Sequence, residues 1–242
     1  MLVLCVWLTP AGAQIIAGNV TSSSGSATLQ RAGTGMAVTV GMSVMVADEL
    51  IVSESGKVTI TLTDGSLLEA GASTTIVIDQ QLLESGGVRS STRVRMLAGI
   101  LRSVAKHSSH GNLPNFEVHT PNAILAARGT TFDTAYTQGQ SRFGFGGCTQ
   151  FTDERTHRGV VGVRNAASPD AAEVSVPAGY ETTVACGAAP LSPGPLGMTG
   201  IPMSGAAALT TSEPGPGIAM PPPPPEEPGV MAPPPPPPSG HF

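Results

Sequence analysis

A short segment in the first half of the chain alternates apolar, largely β-branched residues with threonines and then turns. Residues 58–63 read Val-Thr-Ile-Thr-Leu-Thr, and Asp64-Gly65 follows directly. A period of two predicts a half-buried strand, and Asp-Gly is a strong hairpin signal. A two-residue loop would pair Leu62 with Leu67 and place Glu69 on the apolar face. A three-residue loop places Leu68 and Ala70 there instead, and we favour that register.

Similar signals recur along the chain. Valines at positions 38, 40, 44 and 46 follow a spacing of two, and Val94 and Met96 alternate with Arg93 and Arg95. Glycine (30) and proline (23) together exceed a fifth of the 242 residues, and both disfavour helix interiors. Further strands are predicted at 75–78, 115–118, 132–136, 159–163, 174–176 and 181–184. The predicted class is all-β, with antiparallel hairpins stacked into a β-sandwich or a short β-solenoid-like body.

The composition changes sharply towards the C-terminus. Eighteen of the 23 prolines lie between Pro190 and Pro238. Such a segment has little apolar surface to bury and few backbone donors, so residues 187–242 are predicted to form a disordered or polyproline II tail.

The N-terminus resembles an export signal. Leu2–Leu8 is apolar and small residues at 11 and 13 form an A-x-A-like site, so residues 1–13 are predicted to be a signal peptide, although no Lys or Arg precedes the run. The alternative is a buried strand. Cleavage after Ala13 would leave Cys148 and Cys186, a disulfide candidate in an oxidising compartment, with two separate buried thiols as the alternative. No apolar stretch reaches eighteen residues, so the mature chain has no predicted membrane-spanning segment.

The charge pattern excludes one class of partner and suggests another. The net charge of −5 argues against a protein that coats nucleic acid. Five of the twelve basic residues nevertheless lie within eighteen positions. The plain interpretation is a solvated strand face, and the alternative is a docking patch for an acidic surface, a lipid head group or a polysaccharide. The five are Arg89, Arg93, Arg95, Arg102 and Lys106.

The sequence offers little chemistry. It contains no G-x-S-x-G elbow, and its Gly-rich stretches lack the strand–loop–helix context of a phosphate loop. His107 and His110 with nearby His119 fall short of the shaped ligand set that metals need. We therefore expect no catalytic residues, no metal and no cofactor. A carbohydrate-processing enzyme is poorly supported by one Trp, two Tyr and no paired carboxylates.

Three segments, in order, resemble the FecR-domain family, the periplasmic module named for the ferric-citrate regulator. The first is Val40-Gly41 followed, after a strand, by Leu62–Ser66. The second is Gly99–Leu101 followed by Phe116–Pro121, and the third is Ala127–Phe132 with its Arg-Gly-Thr-x-Phe pattern. The resemblance covers residues 37–136. It implies a β continuation of the same body over 137–186. The residues before the domain, 14–36, are rich in Ser, Gly, Thr and Ala, and that composition predicts an irregular lead-in, with a first short strand within it as the alternative.

The signature residues have a structural interpretation of their own. Pro121 fixes φ and extends Thr120, and Gly129 is expected where a Cβ is not tolerated. Arg128 is expected to bind turn carbonyls or to pair with Asp64 or Asp133. A structural role is therefore favoured over ligand binding for these residues. The set comprises Asp64, Gly65, Ser66, Thr120, Pro121, Arg128, Gly129, Thr130 and Phe132.

These patterns together predict an exported, non-enzymatic module that binds, senses or scaffolds in the bacterial envelope, in the periplasm or outside the cell. The expected partner is an envelope protein or a polysaccharide. Regulatory members of the family carry a cytoplasmic segment and a spanning helix before this domain, and neither is found in this sequence. The alternative function is therefore a component of a sigma-regulator system whose membrane step is supplied by another protein.

Overall fold

A computed structural model describes residues 14–83, 89–107, 115–168 and 172–197. Within those ranges the secondary structure consists of strands and turns, with no helix, which confirms the all-β prediction. The strands are β1 (Ile16–Ser24), β2 (Ala27–Arg31), β3 (Thr34–Ala37), β4 (Ser43–Met45), β5 (Glu49–Val52), β6 (Lys57–Leu62), β7 (Leu67–Ala70), β8 (Thr75–Leu83), β9 (Arg89–Val104), β10 (Phe116–His119), β11 (Ala123–Ala127), β12 (Thr131–Gln138), β13 (Gln150–Arg158), β14 (Val160–Asn165), β15 (Val174–Pro177), β16 (Tyr180–Ala185) and β17 (Gly194–Pro195).

The strands form two sheets that share β9. Sheet A runs β4–β1–β6–β7–β9–β12–β13–β16–β17. Sheet B runs β3–β2–β5–β8–β9–β10–β11–β14–β15. Among the described strands only β9 and β10 pair in parallel. The chain passes back and forth between the sheets, so that successive hairpins stack on one another.

The long strand β9 joins the sheets because it changes partners along its length. Its first half pairs with β8 and β10, and its second half pairs with β7 and β12. Gly99 lies at the change, with φ +88°, and a Cβ there would lie 2.5 Å from the Thr74 backbone. Only glycine meets both requirements without strain.

The favoured register of the first hairpin is confirmed. Ile60 lies opposite Leu68 and Val58 opposite Ala70, and the Leu62 amide donates to the Ser66 carbonyl at 2.8 Å. The loop therefore has three residues, and the apolar side chains of both strands face the core.

The core lies where the apolar faces of the two sheets meet. The alternation predicted for β9 is confirmed, since Val94 and Met96 are buried while Arg93 and Arg95 are exposed. At the centre Phe116 of sheet B and Phe132 of sheet A meet edge to face, with ring centroids 6.3 Å apart. Each large apolar side chain buried in this way contributes roughly 1.5–3 kcal/mol.

Residues 14–36 are not the irregular lead-in expected from their composition. They contain β1, β2 and the start of β3, and β1 is an interior strand paired with both β4 and β6. The backbone carries this pairing, with help from the few buried apolar residues Ala17 and Val20. An apolar-alternation test misses such a strand. Conversely, the spacing of two between valines after residue 37 predicts a strand where there is none at Val40, which lies outside any strand and is 63% exposed.

The C-terminal boundary also differs from the expected one. Residues 187–197 pack on sheet A, where the Leu191 amide donates to the Thr183 carbonyl at 3.0 Å and β17 pairs with β16. Pro195 is tolerated there because β17 is an edge strand. The predicted signal peptide (1–13) and the rest of the predicted tail (198–242) lie outside the described residues.

Candidate functional site

The Asp-Gly-Ser turn is the anchor of a buried ion pair. The Asp64 carboxylate accepts from the Ser66 amide at 2.9 Å and from its hydroxyl at 2.7 Å. Arg89, only 2% exposed, donates to Asp64 at 2.5 Å and to the Ser66 hydroxyl at 2.8 Å. Its other nitrogens reach the Lys106 carbonyl at 2.6 Å and the Asn115 side chain at 3.0 Å. The Arg89 guanidinium thus links the turn after β6 to Lys106, which follows β9, and to Asn115, which directly precedes β10.

The Thr-Pro segment clamps the two sheets together. The hydroxyls of Thr120 and Thr152 lie 2.6 Å apart, and Thr152 also donates to the Asn122 side-chain oxygen. The Asn122 amide donates to the Val184 carbonyl at 2.9 Å. These bonds connect the β10–β11 turn of sheet B to β13 and β16 of sheet A. Sequence reasoning missed Asn122, although an Asn after Thr-Pro is a recognisable turn residue.

The Arg-Gly-Thr-x-Phe segment is also engaged in internal contacts. Arg128 has a guanidinium nitrogen 3.1 Å from the ring of His107. Gly129 has φ +63°, and a Cβ there would lie 2.9 Å from the same ring. The Thr130 carbonyl accepts from the Ala105 amide at 2.8 Å, and Phe132 is fully buried.

A ladder of alternating charges crosses the face of sheet A opposite to the core. Its members occupy matching positions on neighbouring strands: Glu69, Arg102, Asp133, Arg155 and Glu181. Arg102 and Arg155 each lie 2.7 Å from their acidic partners Asp133 and Glu181. Such cross-strand pairs of opposite charge stabilise the sheet.

Asp133 is a carboxylate of the ladder that two side chains hold in place. It takes two hydrogen bonds from Arg102, and its Oδ2 lies 2.8 Å from the His157 ring. Burial works to raise the pKa of Asp133, but the bonds from His157 and Arg102 outweigh it and lower that pKa. The predicted acidic partners of Arg128 therefore bind other side chains. Asp64 binds Arg89, and Asp133 binds Arg102 and His157.

These contacts divide the predicted basic docking patch. Arg89 and Arg102 are buried inside ion pairs, so they do not belong to a surface. Arg93 and Arg95 are about half exposed and lie 3.5 Å from Glu117 and 3.0 Å from Asp79, respectively. Lys106 is exposed. The predicted patch therefore reduces to three residues, two of which have acidic neighbours.

Glu154 is a second buried acid, on the core side of sheet A. Its Oε1 accepts from the Thr156 hydroxyl at 2.6 Å, while Oε2 has no hydrogen-bond partner among the described residues. Burial raises the pKa of Glu154 to about 8, with the charges of Asp133 and Glu181 adding to the shift and the Thr156 bond opposing it. The carboxyl is fully enclosed and is therefore not placed to contact a bound molecule.

The loop after β12 is fastened at several points. The sulfur atoms of Cys148 and Cys186 lie within bonding distance, with their Cα atoms 5.8 Å apart, in the normal range for a disulfide. Arg142 makes two 2.7 Å bonds to Asp153 and stacks over Phe151 at 4.2 Å. Sequence reasoning named Cys148 and Cys186 as a candidate pair but missed Arg142 and its contacts with Asp153 and Phe151.

An open pocket of about 420 Å³ adjoins the loop. Small residues from the β7–β8 turn and from β9 line one side, and the end of β12 lines the other. No group of three His, Cys, Asp or Glu residues within the described ranges is arranged to hold a metal ion. In the same part of the chain, no helix has the length and apolarity to cross a membrane.

Residues 48–144 match the family model described as FecR protein. This segment is a FecR domain. It extends from the start of β5 into the fastened loop and contains the Arg89 ion pair, the bend at Gly99, and Thr120 and Asn122 of the clamp. The resemblance inferred from the three signature segments is thereby confirmed. No curated protein matches the chain.

Two crystal structures of a candidate anti-sigma factor from Parabacteroides distasonis ATCC 8503, at 2.50 Å and 1.65 Å resolution, are similar to this chain. Each has 16% sequence identity and a TM-score of 0.45. The similarity covers 61% of this chain and 59% of that protein, so this chain spans under two thirds of its length.

Proposed function

We propose that the protein is an exported, non-enzymatic FecR module that binds or scaffolds components of the bacterial cell envelope. The observation that carries this proposal is the use of the signature side chains. Asp64, Thr120 and Phe132 are all buried or engaged within the fold. The FecR domain thus serves as a frame, and binding falls to the loops and faces that it displays.

Export is supported by the pairing of Cys148 with Cys186, since disulfides persist in oxidising compartments. Mass spectrometry of the protein from a fractionated envelope, without reduction, is expected to find these cysteines joined in one cross-linked peptide. Recovery of the chain in the cytoplasm with both thiols alkylated would contradict export.

The partner is proposed to be an envelope protein or a polysaccharide. Crosslinking in the native envelope, followed by identification of bound proteins and glycans, tests this directly. The reduced basic patch is tested by reversing the charges of Arg93 and Arg95, which are exposed enough for the fold to survive. Unchanged envelope binding by the folded double variant would remove the patch from the proposal.

The FecR domain itself favours a second candidate, a component of sigma-regulator signalling whose membrane step another protein supplies. Deleting the gene would then change transcription of a defined sigma-factor regulon. An envelope defect with an unchanged transcript profile would favour scaffolding instead.

A further inference from the structure

The fastened loop displays one aromatic ring to solvent. Phe143 has a relative exposure of 105%, the highest among the exposed large apolar residues of the described ranges. It occupies the second position of a turn closed by the Phe145 amide on the Arg142 carbonyl at 3.2 Å. A second turn follows at once, closed by the Cys148 amide on the Phe145 carbonyl at 3.1 Å.

The ring is exposed on a backbone that is held from both sides. On one side Arg142 binds Asp153 twice and the Thr137 hydroxyl at 3.0 Å. On the other side Phe145 packs edge to face on Phe151 at 5.3 Å, next to the cysteine pair. A side chain presented in this way loses little further backbone freedom on binding, which favours affinity.

The neighbouring pocket shares Arg142 with the loop and carries no free charge of its own. One part is lined by small apolar groups, which include Ala72, Ala98 and Gly99. The rest is polar, with Tyr136 and a group of uncharged side chains: Ser73, Thr137, Gln138 and Gln140. Arg142 is the only charged residue of the lining, and Asp153 neutralises it.

We propose that Phe143 and this pocket bind a neutral oligosaccharide that carries acetamido groups. The electron-rich face of an aromatic ring attracts the C–H groups on one side of a pyranose. Amide and hydroxyl side chains both donate and accept, as sugar hydroxyls require. The small apolar lining leaves room for the acetamido methyl. This proposal rests on the proposed binding function and names its ligand class.

Other ligand classes fit the same surface less well. An anionic ligand would meet only one cation, which is already paired. A purely apolar ligand would cover the polar lining without satisfying it, at a cost in desolvation. A neutral, hydroxyl-rich ligand with one apolar face satisfies both parts of the surface.

The test is isothermal titration calorimetry, in which chitotetraose is titrated into the purified, oxidised full chain and the heat of binding is measured. Saturable binding is expected, and cellotetraose, which has the same length but no acetamido groups, should bind about tenfold more weakly, equivalent to 1.4 kcal/mol. Absence of chitotetraose binding by folded protein would overturn the proposal. Equal binding of the two sugars would overturn the acetamido assignment.

Two variants and one control locate the site. Phe143→Ala and Gln140→Leu are each expected to weaken chitotetraose binding about tenfold. Tyr180→Ala, a partly exposed aromatic at the far end of β16, should bind as the wild type does. An equal loss of chitotetraose binding in the Tyr180→Ala control would overturn the site, and so would normal binding by Phe143→Ala. If the wild-type chain is a dimer that Phe143→Ala dissociates, the ring contacts a second copy of the chain, and the proposal is likewise overturned. Capture of envelope proteins without sugar binding would leave the proposed function standing.

Discussion

Glu154 gives the protein a stability that should fall as the pH rises. Its carboxyl is fully buried, and its pKa is raised to about 8 from an ordinary value of 4.5. Below pH 4.5 the group is protonated in both the folded and the unfolded chain. Between those two values the folded chain keeps a proton that the unfolded chain releases, so the free energy of unfolding decreases with pH.

The size of the effect follows from the two pKa values. The folded chain at pH 8 or above would be less stable by about 4 kcal/mol than at pH 4.5, and at pH 7 by about 3 kcal/mol. Glu154→Gln keeps an oxygen for the Thr156 hydroxyl and cannot ionise. The variant should therefore match the wild type near pH 4.5 and become progressively more stable than it up to pH 8.

The assay is urea unfolding followed by circular dichroism, for both proteins, from pH 4.5 to pH 9 with the cysteine pair intact. Subtracting the wild-type profile of unfolding free energy against pH from that of Glu154→Gln cancels the contributions of the other titrating groups. Glu117→Gln is the control, because a hydrogen bond with His119 lowers the pKa of Glu117, so its stabilisation is present above its ordinary pKa and is lost in acid. A wild-type-minus-Glu154→Gln difference that does not vary with pH would refute the reasoning.

Three further substitutions test the frame. Arg89→Leu leaves the buried Asp64 carboxylate without its cation and should lower the free energy of unfolding in urea by about 3–5 kcal/mol. Arg95→Leu, on the exposed face, should lower it by less than about 1 kcal/mol. Equal losses would show that the buried pair of Arg89 with Asp64 does not stabilise the fold. Asn122→Ala removes the bond to Val184 and the acceptor for Thr152, so a loss of about 2–3 kcal/mol in thermal or urea unfolding is expected, and a neutral result would exclude the clamp. Gly99→Ala should lower the melting temperature more than Gly179→Ala, since both have positive φ but only the Cβ at 99 meets other atoms; equal shifts would mean that contact with Thr74 is unimportant.

Local pattern was enough to predict the hairpin of β6 and β7 and the faces of β9. Those strands place apolar and polar side chains on opposite sides, and the Asp-Gly turn fixes the register between Ile60 and Leu68. The alternation of apolar and polar residues could not predict β1, because this strand is held in the sheet mainly by backbone hydrogen bonds to β4 and β6. Ser, Thr and Gly make such bonds as well as any other residue.

Side-chain partners across the fold were harder to predict. Arg89 and Arg93 are four residues apart on one strand and carry the same charge, yet one is buried against Asp64 and the other is exposed beside Glu117. The difference depends on which side chain the β6–β7 turn meets in three dimensions. Sequence spacing alone therefore grouped five basic residues that the two sheets separate.

None of the nine signature residues lines the proposed ligand pocket, although Gly99 and Ile100 of the second FecR-like segment do. In Arg89 each of the three guanidinium nitrogens donates to a fixed acceptor, so a ligand could reach it only by breaking a buried pair. Phe143 is the opposite case, with its backbone neighbours fastened and its ring fully exposed. Substitution of Phe143 should therefore change binding with little change in stability, and substitution of Arg89 should first change stability. A Phe143 variant that unfolds as readily as Arg89→Leu would contradict this division.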